Sequence, residues 1–88
     1  MIENKEMEKL EKVWGELINM YDKYYDGGDP NAINEAYENI ERKHNVAIID
    51  TDNEGNALVW DLETDKKYWI NPRPGNPFEL IKEVIMND

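Results

Sequence analysis

The sequence predicts a small α+β domain with the element order ααβββα, in which a helical hairpin packs on a three-stranded antiparallel meander and a C-terminal helix follows. Apolar residues recur at helical spacing before residue 45 and at strand spacing after it, and Gly and Pro clusters separate the segments. Residues 1–88 are too few for more than one core. The predicted helices lie at about 3–26, 30–43 and 77–86, and the predicted strands at about 46–50, 57–62 and 67–71.

The first helix is predicted from an apolar stripe. Its residues alternate at spacings of three and four, which places them on one face of a helix, and Gly27 and Gly28 are the residue type that ends helices. Asp29 and Pro30 then restart the chain as a cap and a first-turn proline. The apolar stripe comprises Met7, Leu10, Trp14, Leu17, Tyr21 and Tyr24, and the inward face of the second helix comprises Ile33, Ala36, Tyr37 and Ile40.

The strands are predicted from alternating apolar residues bounded by turns. In the second strand we expect Leu58, Trp60 and Leu62 to face the helices. In the third, Tyr68 and Ile70 should face them while Trp69 points away. The last helix is predicted from the segment 76–79, Asn-Pro-Phe-Glu, which has the composition of a helix start. That helix would bury the apolar residues Leu80, Ile81, Val84 and Ile85.

The composition excludes several kinds of chemistry. The chain has no Ser and no Cys, so the common hydroxyl and thiol nucleophiles of triad enzymes are missing, as are thiolate zinc sites and disulfides. No glycine-rich phosphate loop is present. His44, the one imidazole, stands where it can interact with the carbonyl end of the second helix. We therefore expect no enzymatic activity and no cofactor.

A calcium site is a weaker alternative. The residues Asp50, Asp52, Glu54, Gly55, Asn56 and Asp61 follow the order of an EF-hand loop. However, strands rather than helices flank the segment, and an Asp stands where that loop usually ends in Glu. A polar hairpin turn with Gly at positive φ explains the same residues, so we expect no metal site.

The charge points to a basic partner. Twenty acids against ten bases give a formal net charge of −10, which repels phosphate backbones and disfavours direct nucleic-acid binding. No apolar run is long enough to span a membrane, and the N-terminus has no signal-like stretch, so a cytoplasmic location is expected, and the resemblance given below implies a bacterial or phage-infected cell. The predicted partner-binding residues are Glu35, Glu38, Glu41, Asp50, Asp52, Glu54, Asp61, Glu63 and Asp65, with Trp69 and Tyr25 as aromatic anchors.

In size, charge and lack of catalytic signature the chain resembles the small acidic inhibitors that bacteriophages make against host nucleases, including anti-restriction and anti-CRISPR proteins, and bacterial immunity proteins. The resemblance implies an inhibitor or regulator of a basic, nucleic-acid-processing protein, in which carboxylates imitate the phosphates of DNA. The alternative hypothesis is a structural or regulatory homo-oligomer, for example a homodimer. Its copies would associate through Trp14, Leu17, Tyr21 and Tyr24 of the first helix.

Overall fold

A computed structural model describes residues 4–24 and 27–85. Two helices precede four strands, and neither helix in the described part is long and apolar enough to cross a bilayer. The elements are α1 (Asn4–Lys23), α2 (Pro30–His44), β1 (Val46–Thr51), β2 (Ala57–Asp61), β3 (Lys66–Ile70) and β4 (Leu80–Val84). The predicted α+β class and the antiparallel meander are confirmed, but the meander has four strands rather than three.

The sheet has the strand order β1-β2-β3-β4, and every neighbouring pair is antiparallel. Both helices lie on one of its faces, because one apolar cluster contains residues from both helices and from the inward side of the sheet. The fully or nearly fully buried members of this core are Leu10, Val13, Leu17, Met20, Ile40, Val46, Ala57, Val59, Tyr68 and Ile70.

The helix boundaries follow from local capping. Asp29 caps α2 by accepting a hydrogen bond from Asn31 N at 3.1 Å, as predicted, and Pro30 occupies the first turn. The helix ends at Asn45, which adopts the left-handed conformation (φ 55°) and donates its N–H to Glu41 O. Gly28 is required by close approach, since a Cβ there would lie 2.6 Å from the Tyr24 ring.

The inward face of β2 is the opposite of the one predicted. Ala57 and Val59 are fully buried under the helices, whereas Leu58 and Trp60 lie on the other side of the sheet and Leu62 is exposed beyond the strand. Register decides this, because β2 pairs with β3 so that Val59 lies opposite Tyr68. The predicted inward orientation of Tyr68 and Ile70 is confirmed, and so is the outward one of Trp69.

The predicted C-terminal helix is wrong, because residues 80–84 form β4 and pair with β3. Asn71 is the physical reason. Its buried side chain accepts a hydrogen bond from Glu79 N at 2.6 Å and donates one to Pro77 O at 3.0 Å, so the loop folds back alongside the sheet. Leu80 then packs against the core, whereas Ile81 and Ile85, which the helix would have buried, are exposed.

Candidate functional site

The acidic residues of β1, β2 and their turns are not one surface. Residues 45–65 contain six acids and no base, yet the structure divides those acids among a turn, a buried ion pair, a tryptophan contact and an exposed edge. The six are Asp50, Asp52, Glu54, Asp61, Glu63 and Asp65.

Asp52 builds the turn between β1 and β2. Its carboxylate accepts hydrogen bonds from Asn56 N at 2.8 Å, from Glu54 N at 3.0 Å and from Asn56 Nδ2 at 3.0 Å. The backbone hydrogen bond from Asn56 is the main reason that the pKa of Asp52 is lowered. Arg73 donates from Nη1 to Glu54 O across the turn at 3.0 Å. Among the described residues no three His, Cys, Asp or Glu side chains converge.

Asp61 is buried rather than available to a partner, which corrects its prediction as a contact residue. It is 1% exposed, and its Oδ1 accepts hydrogen bonds from Lys9 Nζ at 2.8 Å and from Glu63 N at 3.0 Å. Lys9 also reaches the Glu63 carboxylate at 3.3 Å. These contacts attach the start of α1 to the end of β2.

Glu6 is a third carboxyl group at this junction. Its Oε1 is buried beside the Asp61 carboxylate and receives no hydrogen bond from a donor, so a hydrogen bond between the two carboxyl groups requires a proton on Glu6. Burial, followed by hydrogen bonding to Asp61 and repulsion from its charge, raises the pKa of Glu6 to about 7, against the partial opposition of Lys9 and Lys66. Burial alone would raise the pKa of Asp61, but hydrogen bonds from Glu6 and Lys9 outweigh it and lower that pKa. The sequence pattern did not indicate this pair.

The remaining acids of α2 and β1 belong to a surface that we call the α2–β1 edge, formed by Glu38, Glu41, Ile49, Asp50 and Leu62, together with Glu35 one turn before Glu38 on α2. Glu41 accepts a hydrogen bond from Ile48 N at 2.8 Å, which joins the helix to the outer backbone of β1. Two shallow depressions run along this edge, with volumes of about 260 and about 380 Å³. The first is lined by Tyr37, Ile48, Ile49, Asp50 and Thr51, and the second by Glu38, Glu41, Arg42, Asn45, Val46 and Leu62.

Two exposed apolar side chains accompany these carboxylates. Ile49 sits at the irregularity in the β1–β2 register, and both Ile49 and Leu62 are 45% exposed. Sequence reasoning missed both residues. Ile49 belongs to a continuous apolar run, which indicates a buried strand, and alternation alone placed Leu62 on the inward face.

Trp69 does not lie among the acids. It belongs to the sheet face that no described helix or strand covers, which we call the open face; its neighbours across the strands are Leu58 and Lys82. On the same face Trp60 donates from Nε1 to Asp65 at 2.9 Å, and Lys67 Nζ lies 5.2 Å from the centroid of the Trp60 ring. The open face consists of Ala47, Asp50, Leu58, Trp60, Lys67, Trp69, Lys82 and Val84.

The aromatic residues of α1 are occupied within the chain. Trp14 donates to Asn71 O at 2.7 Å and contacts the Phe78 ring edge-on at a centroid distance of 5.8 Å. The hydroxyls of Tyr21 and Tyr37 are hydrogen-bonded at 3.3 Å, and burial, followed by this hydrogen bond, raises the pKa of Tyr21. Tyr25, the other predicted aromatic anchor, lies outside the described residues.

His44 ends α2, as predicted, and its imidazole joins the two helices. Nε2 contacts the Glu16 carboxylate of α1, which also lies 3.4 Å from Lys43 Nζ. Burial raises the pKa of Glu16, but the hydrogen bond and charge of His44 outweigh it, so the pKa is lowered. The contact therefore links α1 to α2.

No protein-family model matches the chain, and neither does any curated protein sequence or solved structure. The choice between the two exposed surfaces, the α2–β1 edge and the open face, therefore depends on the side chains that each presents.

Proposed function

We propose that this protein binds a basic protein surface through the α2–β1 edge and thereby inhibits or regulates a nucleic-acid-processing partner. The observation that carries the proposal is the placement of exposed apolar side chains beside a row of carboxylates. Ile49 and Leu62 are each 45% exposed, next to depressions that Glu38, Glu41 and Asp50 line.

The two kinds of side chain make different contributions to binding. Carboxylates at the rim of an interface steer a basic partner and set its orientation, but exposed ion pairs add little affinity. Apolar side chains that become buried at the centre supply most of the favourable free energy. The α2–β1 edge offers both, whereas the Asp52 carboxylate of the β1–β2 turn is held by hydrogen bonds from Glu54 and Asn56 of the same turn.

The class of partner is inferred from charge. A surface of a protein with net charge −10 is complementary to the basic grooves with which nucleases and related enzymes hold phosphate backbones. Carboxylates at Glu35, Glu38 and Glu41, three residues apart along one helix, would take the place of phosphates there. In this respect the protein would act as a DNA mimic of the anti-restriction or anti-CRISPR kind.

The first test is capture of partners from a bacterial lysate by the immobilised protein at low salt, followed by purification of each captured basic protein. Its affinity is then measured for the wild type and for the variants E35K/E38K and I49S/L62S. We expect each double variant to weaken binding by about tenfold or more. Where the partner is a nuclease, its inhibition should weaken in parallel.

The matched control is E8K/E11K, which makes the same change of charge on exposed positions of α1. It should weaken binding by less than about threefold, because only the long-range field of the protein changes. Equal losses for E35K/E38K and E8K/E11K would show that net charge alone drives binding. Absence of any basic protein at low salt would refute the proposal.

Self-association through the aromatic face of α1, the other function predicted from the sequence, receives less support. Leu17 is fully buried, and Trp14 and Tyr21 are engaged by Asn71 and Tyr37 of the same chain. These side chains would have to leave their present contacts before they could meet a second copy.

A further inference from the structure

The open face presents two rows of side chains that run across all four strands. One row consists, from β1 to β4, of Asp50, Leu58, Trp69 and Lys82; the other consists of Ala47, Trp60, Lys67 and Val84. Antiparallel register places the members of a row beside one another on the same side of the sheet. Leu58, Trp60 and Trp69 therefore form an apolar centre on β2 and β3, with Lys67 beside the Trp60 ring and with Asp50 and Lys82 at the two margins.

The apolar centre is large for a face that is not part of the core. Two of the three tryptophans of the chain lie on it, with Leu58 between them. All three are only half-buried, and the described helices pack on the other side of the sheet. Patches of this composition on small proteins commonly mark interaction surfaces, and Trp is enriched in the centres of interfaces.

The charges on this face differ from those of the rest of the molecule. The strands of this face carry one acid, Asp50 on β1, and two bases, Lys67 on β3 and Lys82 on β4, and the Asp65 carboxylate adds a second acid where it accepts the Trp60 indole. The face is therefore close to neutral in a protein of net charge −10, and it complements a basic partner less well than the acidic α2–β1 edge does. Its acidic end and its basic end do complement each other if the surface is turned through 180° about an axis parallel to the strands.

We propose that a second copy of this chain docks on the open face, with the two sheets stacked face to face about a two-fold axis that runs between β2 and β3. This axis places β1 of one copy over β4 of the other, so that Asp50 of each copy lies opposite Lys82 of the second. Leu58 then lies opposite Trp69 of the second copy, and both tryptophans of each sheet are buried at the centre.

The resulting dimer has four layers, with the helices outside and the two sheets about 10 Å apart at the centre. A two-fold interface uses the same patch on both copies. The proposed dimer meets this requirement, because each row of one copy pairs with the same row of the other copy in reverse order. Repulsion between the two acidic chains is screened at physiological ionic strength, where the Debye length is about 8 Å. Apart from Asp50, which lies opposite Lys82 of the second copy, the α2–β1 edge stays at the periphery of each sheet.

The test is the oligomeric state measured by sedimentation equilibrium over protein concentrations of about 5 to 500 µM. We expect a monomer–dimer equilibrium in the wild type, and a dissociation constant at least about tenfold larger for W60A/W69A. A protein that stays monomeric throughout, or a dimer that the tryptophan substitutions do not weaken, would overturn the proposal.

A charge exchange tests the orientation without removing core residues. D50K and K82D each place like charges opposite one another and should weaken the dimer, whereas the double variant D50K/K82D restores opposite charges and should return the dissociation constant to within about threefold of wild type. E8K, which makes the same charge change as D50K on exposed α1, should leave it unchanged. Failure of the double variant to recover would exclude this arrangement.

The two proposals are tested separately, because Glu35, Glu38, Ile49 and Leu62 do not belong to the open face and Trp60 and Trp69 do not belong to the α2–β1 edge; Asp50 belongs to both surfaces, so W60A/W69A is the variant that tests the dimer alone. Loss of partner binding in E35K/E38K with an intact dimer, or the reverse, separates the two surfaces.

Discussion

The contact between the carboxyl groups of Glu6 and Asp61 depends on a proton that Glu6 carries. Two carboxyl groups meet where α1 joins β2, and Lys9 supplies one nearby positive charge, with Lys66 and Glu63 around them. A proton on Glu6 allows it to donate a hydrogen bond to the Asp61 carboxylate, whereas two ionised carboxylates would repel each other. The raised pKa of Glu6 is therefore a statement about stability.

The contribution of Glu6 to the free energy of unfolding depends on pH. The pKa of Glu6 is about 7 in the folded protein and ordinarily 4.5, so the folded state holds a proton that the unfolded state releases between these values. The stabilisation from Glu6 is complete below about pH 4.5 and is lost as pH rises toward 7. Asp61 has a lowered pKa, so its contribution is lost only in acid, below its ordinary value of 3.8.

We predict that E6Q removes this pH dependence, because a glutamine amide donates to Asp61 at every pH. The free energy of unfolding of the wild type relative to E6Q should fall by about 1 to 2 kcal/mol between pH 4.5 and 8, after allowance for solvent screening of a half-buried group. Urea denaturation at each pH measures it. E8Q, an exposed control on the same helix, should show no such change; parallel curves for wild type and E6Q would contradict the assignment.

A second prediction tests which side of β2 faces the helices. Val59 is fully buried, so V59A should lower the free energy of unfolding by about 2 kcal/mol through lost apolar burial and a cavity. Leu58 lies on the open face, so L58A should cost less than about 1 kcal/mol in the dilute monomer despite removing the larger side chain. Thermal or urea unfolding at low protein concentration decides, and the reverse order would restore the face predicted from the sequence.

At the scale of the elements, β4 shows that a strand can be positioned by one distant side chain. The segment 76–79 has the composition of a helix start, and nothing within it indicates a strand. Asn71 follows β3, and its side chain forms hydrogen bonds with the backbone of residues 77 and 79. Its backbone N–H also donates to the carbonyl of residue 79. Its carbonyl also accepts the Trp14 indole, so the same residue anchors α1.

N71A should therefore destabilise the protein by about 2 to 3 kcal/mol, because Glu79 N–H and Pro77 C=O would lose their partner. The loss should be concentrated in β4, where hydrogen exchange of the backbone amides in residues 80–84 should accelerate more than in β2. N76A is the control, since Asn76 is exposed in the same loop. Uniform acceleration across the sheet would mean that Asn71 supports the whole fold rather than one strand.

Among the described residues, the β1 edge of the sheet differs from the β4 edge in having a side chain bonded to its outer backbone. There the Glu41 carboxylate takes the N–H of Ile48, and an irregular register at Ile49 interrupts the strand. Both features hinder pairing with another strand, so this edge is suited to side-chain contacts rather than to sheet extension. That is consistent with its proposed use as a protein-binding surface.

At the scale of the whole molecule, the distribution of charge matters more than its total. Residues 45–65 contain six acids and no base, whereas residues 66–85 contain four bases and two acids. The strands β1 and β2 each carry one acid and no base, whereas β3 carries two bases and β4 one base and one acid, and β1 and β4 lie at opposite sides of the sheet. The proposed dimer uses this polarity, and the proposed partner binding uses the acidic side.

The net charge of −10 also opposes compaction of a single chain. We predict that raising NaCl from about 10 to about 300 mM increases the melting temperature by about 4 °C or more, a change of roughly 1 kcal/mol for a domain of this size. Salt screens the buried Lys9–Asp61 pair less than it screens exposed charges, so weakening of this pair should not reverse the rise in melting temperature. The variant E8Q/E11Q/E35Q, less acidic at exposed positions, should show a smaller increase; an equal increase would indicate a salt effect unrelated to charge repulsion.

Features that depend on neighbours along the chain were predictable from the sequence. The spacing from Leu10 to Leu17 specifies a helical face, and Asp29 with Pro30 specifies the start of α2, because helix periodicity and capping involve residues within a few positions of one another. Composition likewise excludes thiol and serine chemistry. The acids Glu35, Glu38 and Asp50 were correctly placed on exposed positions, although not with Ile49 and Leu62 beside them.

Only the tertiary structure decided which face of β2 is inside, whether residues 80–84 form a helix or a strand, and which acids are exposed. Alternation shows that a strand has two faces but not which one meets the core, because that depends on the register with β3. The Asn71 contacts and the burial of Asp61 against Lys9 join residues that are distant in sequence. The local preferences of a segment cannot encode such contacts. The tertiary structure therefore decided that Trp69 lies on one surface and the α2 carboxylates on another.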